Sequence, residues 1–125
     1  MVKILAIDDN GENLVIIKTL LSVLFPDAKI YTASSGNEGV ALAKVENPDV
    51  ILLDLNMPEM DGFETCKIIK DDQTLQRIPV IVLTALKTDS ASRIKALNSG
   101  AETFLTKPID ESELKAQITS MLRIR

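Results

Sequence analysis

The 125-residue chain contains no histidine and a single cysteine, Cys66. Without histidine it cannot carry a Ser-His-Asp or Cys-His nucleophilic relay, a His-ligated zinc, or a phosphohistidine of its own. One cysteine closes no internal disulfide, and Cys66 sits in an apolar helical pattern that suits a small core residue. Runs of one charge are missing as well. The 14 Lys and Arg are scattered among 18 Asp and Glu, for a net charge of −4, and no basic stripe offers a footprint for DNA or an anionic membrane. The longest apolar run is far short of a membrane span, and no basic segment leads into an apolar signal core at the N-terminus, so a cytoplasmic protein is expected. The five glycines, at 11, 36, 39, 62 and 100, build neither a Walker loop nor a dinucleotide fingerprint.

What is present is regular. The length suits one domain covering 1–125, long enough to bury most of the surface its unfolded form exposes. Short aliphatic runs at Ile4–Ile7, Ile30–Ala33, Val50–Leu53, Val80–Leu83 and Thr103–Leu105 alternate with five longer segments of helical period. Turn residues such as Phe25-Pro26-Asp27, Asn47-Pro48-Asp49 and Ile78-Pro79 separate them. Five strands alternating with five helices predict βαβ units, whose right-handed crossovers force a parallel sheet with helices on both faces. Continuous apolar strands fit a sheet covered on both sides. The last helix has a start signal, Asp110 followed by Glu113, ahead of Leu114, Ile118, Met121 and Leu122 at helical spacing.

The third run ends abruptly on an acid, Asp54, and then enters a loop holding Pro58 and Gly62. Open doubly wound sheets bind ligands at the carboxyl ends of their strands, where strand order reverses, and in the five-stranded flavodoxin-like order 2-1-3-4-5 that point lies between strands one and three. Strand one ends in Asp8-Asp9. In this order three carboxylates converge, and like charges so close raise one another's pKa unless a cation or proton sits between them. An all-oxygen donor set indicates a hard divalent ion, with few protein ligands and room for water favouring Mg²⁺. Thr84 ends strand four, and Lys107 ends strand five just before Pro108. Taken singly, Asp8 and Asp9 are ordinary helix caps, Asp54 a solvated strand end, Thr84 a common β-former and Lys107 a surface cation. All of them at one edge of one sheet form a site for a tetrahedral anion, and the obvious anion is a phosphoryl group.

These residues carry a resemblance across essentially the whole chain. Asp8-Asp9, Asp54 within Leu53-Asp54-Leu55-Asn56-Met57-Pro58, Asp61-Gly62, Thr84-Ala85 and Lys107-Pro108 together resemble the receiver domain of two-component response regulators, of the chemotaxis-regulator type. The resemblance implies that Asp54 accepts a phosphoryl group and that Asp9, Asp54 and the Asn56 backbone carbonyl ligate Mg²⁺, with Asp8 reaching the metal through water. It implies that Lys107, the Thr84 hydroxyl and the Ala85 backbone N–H contact the phosphoryl oxygens, and that Phe104 is an aromatic switch responding to Thr84. The implied partners are a histidine kinase or histidine phosphotransfer domain as donor and an output protein or domain downstream. The implied activity is a signalling switch that resets by weak self-dephosphorylation, not an enzyme in the usual sense.

Rival readings fit less well. A haloacid-dehalogenase-type phosphatase would resemble Asp-x-Asp, and position 56 is Asn, which cannot act as general acid. A flavodoxin-like cofactor binder would set Asp8-Asp9 against the cofactor phosphate, and a receiver-like interaction scaffold that never takes phosphate would not need an intact site. The resemblance implies that Leu86, two residues past Thr84, and Asn56, two past Asp54, flank the path of the hydrolytic water; an apolar Leu86 offers that water no hydrogen bond, so Leu86→Glu is expected to shorten the acyl-phosphate lifetime. In the first helix nine of twelve residues from Leu14 to Phe25 are apolar. At about 100° per residue, Ile16, Ile17, Leu20, Leu21, Val23 and Leu24 are predicted to face the sheet, leaving Val15, and Leu14 at the border, exposed. Two scattered surface aliphatics are one reading; the resemblance, by which receiver domains present the start of this helix to the phosphodonor, implies the other, a docking patch.

Overall fold

The computed structural model describes residues 1–55, 62–84, 94 and 97–124. Its five strands are β1 (Lys3–Ile7), β2 (Lys29–Ala33), β3 (Val50–Asp54), β4 (Val80–Thr84) and β5 (Thr103–Thr106). They form one parallel sheet, as the alternation of elements predicts, in the flavodoxin-like order β2-β1-β3-β4-β5. The helices are α1 (Gly11–Leu24), α2 (Gly36–Glu46), α3 (Gly62–Asp71) and α4 (Glu111–Ile124). The fifth expected helix, between β4 and β5, falls largely on residues outside those described. Among the described residues no helix is long and apolar enough to cross a membrane.

Side chains alternate strictly between the two sheet faces, because successive residues of a strand point to opposite sides. Leu5, Ile7, Ile51, Leu53, Val80 and Val82 pack with Cys66 and Ile69 on the α3 side, where Ala43 of α2 also lies. Ile4, Ala6, Val50, Leu52, Ile81 and Leu83 pack on the other side with Leu14, Ile17 and Leu21 of α1 and Leu114, Ile118 and Met121 of α4. Every residue of β3 is buried, which explains why its sequence lacks the alternation of a half-exposed strand. Cys66 is fully buried, the core role its pattern suggests, and burial pushes its thiol pKa up, a hydrogen bond to Ser99 opposing the shift.

Helix starts follow local chemistry. Asn10 caps α1, its side chain accepting from the Glu12 and Asn13 N–H groups at 2.9 and 3.1 Å. Capping of α1 by Asn10 leaves Asp8 and Asp9 for another task. Ser35 caps α2 through the Glu38 N–H, and Asp110 caps α4 through the Glu113 N–H at 3.0 Å, the signal read in the sequence.

The rotation of α1 differs from expectation. Leu14 is buried, along with Ile17 and Leu21, whereas Ile16 and Val23 stand 65% and 70% exposed beside Val15 at 66%. Leu14, Ile17, Leu21 and the half-buried Leu24 recur at i, i+3, i+7 and i+10, and this arc joins the core cluster that Leu114 and Ile118 of α4 share on the same face of the sheet. A helix apolar on nearly every side cannot declare by periodicity which arc it buries; the sheet face it packs on decides.

Candidate functional site

The carboxyl ends of β1, β3, β4 and β5 meet at one edge. By the alternation of the strands Asp8, Asp54 and Lys107 share the parity of the face that carries α1 and α4, while Thr84 and Phe104 share the parity of the face that carries α3. Backbone bonds lock the strand ends together: Asp8 N–H donates to Ala33 O at 3.1 Å, Leu55 N–H to Leu83 O at 3.1 Å, and Lys107 N–H to Thr84 O at 2.8 Å. The peptide bond between Lys107 and Pro108 is cis.

Carboxylate oxygens of Asp8, Asp9 and Asp54 lie within 4.8 Å of one another. Asp8 and Asp54 are buried, at 6% and 3% exposure, and Asp9 is exposed. Lys107 Nζ donates to Asp54 Oδ1 at 3.1 Å from a half-buried position. Burial pushes the Asp8 carboxyl above its ordinary pKa and the charge of Asp54 adds to the shift; the Asn10 N–H bond to Asp8 Oδ1 at 2.9 Å, the Lys107 charge and a hydrogen bond from the Asn13 side chain oppose it. Three carboxylates facing one ammonium leave an excess of negative charge in a crevice with only oxygen donors, so the residues present fit a hard divalent cation such as Mg²⁺.

The structure therefore brings Asp8, Asp9, Asp54 and Lys107 together at this edge, while Thr84, at the end of β4, and Phe104, within β5, are half-buried on the α3 side. Asn56, Ala85 and Leu86 lie outside the described residues. Sequence reading missed Asn13, whose signal was its position three residues after the cap Asn10, and Ile16. Together with Asp8, Lys107, Ile17, Leu20 and Ile109, these line a cavity of about 340 Å³ between α1 and the chain that follows β5.

The raised Asp8 pKa has a consequence for stability. A folded-state value above the ordinary 3.8 means that the folded protein holds the proton more tightly. Stability of the metal-free protein then falls as pH rises from about 3.8 through the folded value, and the full cost is present at neutral pH. Asp8→Asn keeps an acceptor for the Asn10 N–H and removes the charge. It should raise Tm of the metal-free protein at pH 7, with the gain fading as pH falls below 3.8. Thermal melts in a chelator measure this, and a lowered Tm at pH 7 would contradict it. With Mg²⁺ present the order should invert, because ligand binding stabilises only the protein that binds it.

Comparison with known proteins agrees with the geometry. The family model described as "Response regulator receiver domain" matches residues 4–119. The response regulator PleD of Caulobacter vibrioides is 42% identical over 123 residues, covering 98% of this chain and 26% of PleD. The DNA-binding dual master transcriptional regulator RpaA of Synechocystis sp. is 38% identical, covering 98% of this chain and 50% of RpaA. The chain thus spans between a quarter and a half of the length of these relatives. Among solved structures, the signal receiver domain of a DNA-binding response regulator from Colwellia psychrerythraea superposes with a TM-score of 0.90 at 34% identity, covering 98% of this chain and 99% of that one. The chemotaxis protein CheY4 of Vibrio cholerae superposes with a TM-score of 0.87 at 30% identity, covering 98% and 99%.

Proposed function

The chain belongs to the response regulator receiver domain family, and from that premise we propose that Asp54 is the acceptor through which it works as a phosphorylation-activated switch. The observation that carries this reading is the meeting of a buried Asp54 with Lys107 at 3.1 Å beside the Asp8 and Asp9 carboxylates. Receiver domains are phosphoacceptors and not typical enzymes. An Asp54 carboxylate oxygen attacks phosphorus in line while the donor's N–P bond breaks, and the departing imidazole takes a proton from solvent. Lys107 holds the acceptor carboxylate and faces the charge that arrives with the phosphoryl oxygens. The Thr84 hydroxyl and the Ala85 N–H receive those oxygens, and closure of Thr84 makes room for Phe104 to turn inward. Asp9, Asp54 and the Asn56 carbonyl would hold Mg²⁺ directly and Asp8 through water. A bound Mg²⁺ would supply charge neutralisation at the phosphoryl oxygens. Hydrolysis of the acyl phosphate resets the domain.

Response regulators work with histidine kinases and output domains. For this chain we place the donor, a phosphohistidine on a kinase or phosphotransfer domain, against the exposed side of α1, which puts the domain in the cytoplasm. Leu14 is buried and takes no part; Val15 and Ile16 supply the apolar surface, and Ile16 lines the cavity that reaches Asp8 and Lys107. Intact-mass measurement tests the whole reading: with Mg²⁺ and acetyl phosphate, or a phosphorylated histidine donor, the protein should gain one phosphoryl group, and a chelator should prevent the gain. Changing Val15 and Ile16 together to Ser should slow transfer from the protein donor about tenfold and leave acetyl phosphate uptake unchanged, since exposed substitutions cost the fold little. Equal slowing with both donors would rule out this docking surface.

A further inference from the structure

The chain leaves the sheet at Leu55 and re-enters regular structure at Gly62, the first residue of α3, whose N–H donates to Leu55 O at 3.2 Å. At this junction there is no room for a side chain. A Cβ on Gly62 would lie 2.4 Å from Leu55 Cα, 2.5 Å from the backbone oxygen of Asp54 and 2.8 Å from Leu55 Cδ2. The two nearest obstacles are backbone atoms, which no rotamer change can move aside. One of them belongs to Asp54 itself.

The Asp54–Leu55 backbone is held from the far side by the Leu55 N–H bond to Leu83 O, and the Asp54 carboxylate by Lys107. The first turn of α3 therefore closes the third side of a frame around the acceptor. The rest of α3 is anchored separately, since Cys66 and Ile69 are fully buried among Leu53, Leu55 and Ile78. A side chain at 62 would lift the first turn or push the strand end without undocking the helix.

We propose that Gly62 is a positioning residue: direct backbone contact between α3 and Asp54–Leu55 sets how far the Asp54 carboxylate projects between the acidic pair and Lys107. The inference rests on the reading of Asp54 as acceptor. In-line transfer is sensitive to displacement, and a shift on the order of 1 Å at a reacting group can cost about a hundredfold in rate.

Gly39 provides a matched control. A Cβ there would meet Ile7 Cδ1 at 2.4 Å and Cγ1 at 2.7 Å, equally crowded but against the far end of a flexible side chain in the core. Gly62→Ala and Gly39→Ala should both unfold cooperatively with lowered Tm. At a temperature well below both transitions and at saturating Mg²⁺, Gly62→Ala should gain its phosphoryl group from acetyl phosphate at least tenfold more slowly than the wild type. Gly39→Ala should match the wild type. Wild-type uptake together with its loss in Asp54→Asn checks the acceptor reading on its own. If both hold and Gly62→Ala proceeds at the wild-type rate, or slows no more than Gly39→Ala, the positioning role is overturned. A Gly62→Ala chain with no cooperative transition would overturn it too, because the glycine would then serve the fold and not the acceptor.

Discussion

Asp54→Asn should give a folded protein that gains no phosphoryl group from acetyl phosphate or from any phosphorylated histidine donor. The asparagine keeps the shape of the side chain and discards its nucleophile, since an amide oxygen or nitrogen attacks phosphorus far more weakly than a carboxylate. The fold should tolerate the change. Asp54 is buried next to Asp8, and removing one of two neighbouring negative charges offsets the lost ion pair with Lys107. A Tm within a few degrees of the wild type is expected in a chelator, with much weaker stabilisation by Mg²⁺ because one of the clustered carboxylates is gone. Intact-mass measurement over a time course decides the matter. A variant that still gains one phosphoryl group would show that the acceptor lies elsewhere, and the assignments of Lys107, Thr84 and Phe104 would fall with it.

The largest effect on stability is expected far from this edge, at Lys70. Its ammonium donates to Ile78 O at 2.8 Å, to Gln76 O at 3.2 Å and to Glu102 Oε2 at 2.9 Å. Glu102 in turn accepts the Val80 N–H on Oε1 at 2.7 Å and donates its own N–H to Val80 O. One side chain therefore ties the end of α3, the entry to β4 and the residue before β5. The Lys70 side chain is only 13% exposed and that of Glu102 34%, so the pair lies between a buried ion pair, whose disruption costs about 3–5 kcal/mol, and a surface pair worth about 0–1 kcal/mol. Lys70→Met keeps the length of the stem and removes all three donors; it should cost about 2 kcal/mol, or about 8 °C in Tm. Glu102→Gln retains an acceptor for Val80 and should cost less. The double variant should be less destabilised than the sum of the two, because each single change leaves a charged or polar partner behind. Additive losses from denaturant titrations would remove the case for a coupled staple. Phosphoryl uptake at 25 °C should be unchanged in both single variants, since none of these groups touches the acidic edge.

The sequence alone determined the parallel sheet and, with the flavodoxin-like strand order, the edge at which chemistry is placed. Strands covered on both faces must be aliphatic almost throughout, so five short runs stood out, and Asp54 was conspicuous as the one charge ending the most buried of them. Handedness of βαβ crossovers then brought Asp8 and Asp9 opposite Asp54 and put Lys107 at the same edge, as the 3.1 Å bond between Lys107 and Asp54 and the carboxylate cluster bear out. Only the tertiary structure decided what local period leaves degenerate. In α1 several arcs are apolar, and packing in the core cluster on its side of the sheet, which also holds α4, selected Leu14 over Ile16 and Val23. The hydrogen bond of Lys70 to Glu102, 32 positions away, joins two residues that read as ordinary surface charges. Gly62 reads as a turn residue in the sequence; that its missing Cβ lets α3 rest on the backbone of Asp54 follows from the depth at which the helix packs, a distance set by the core residues beneath it.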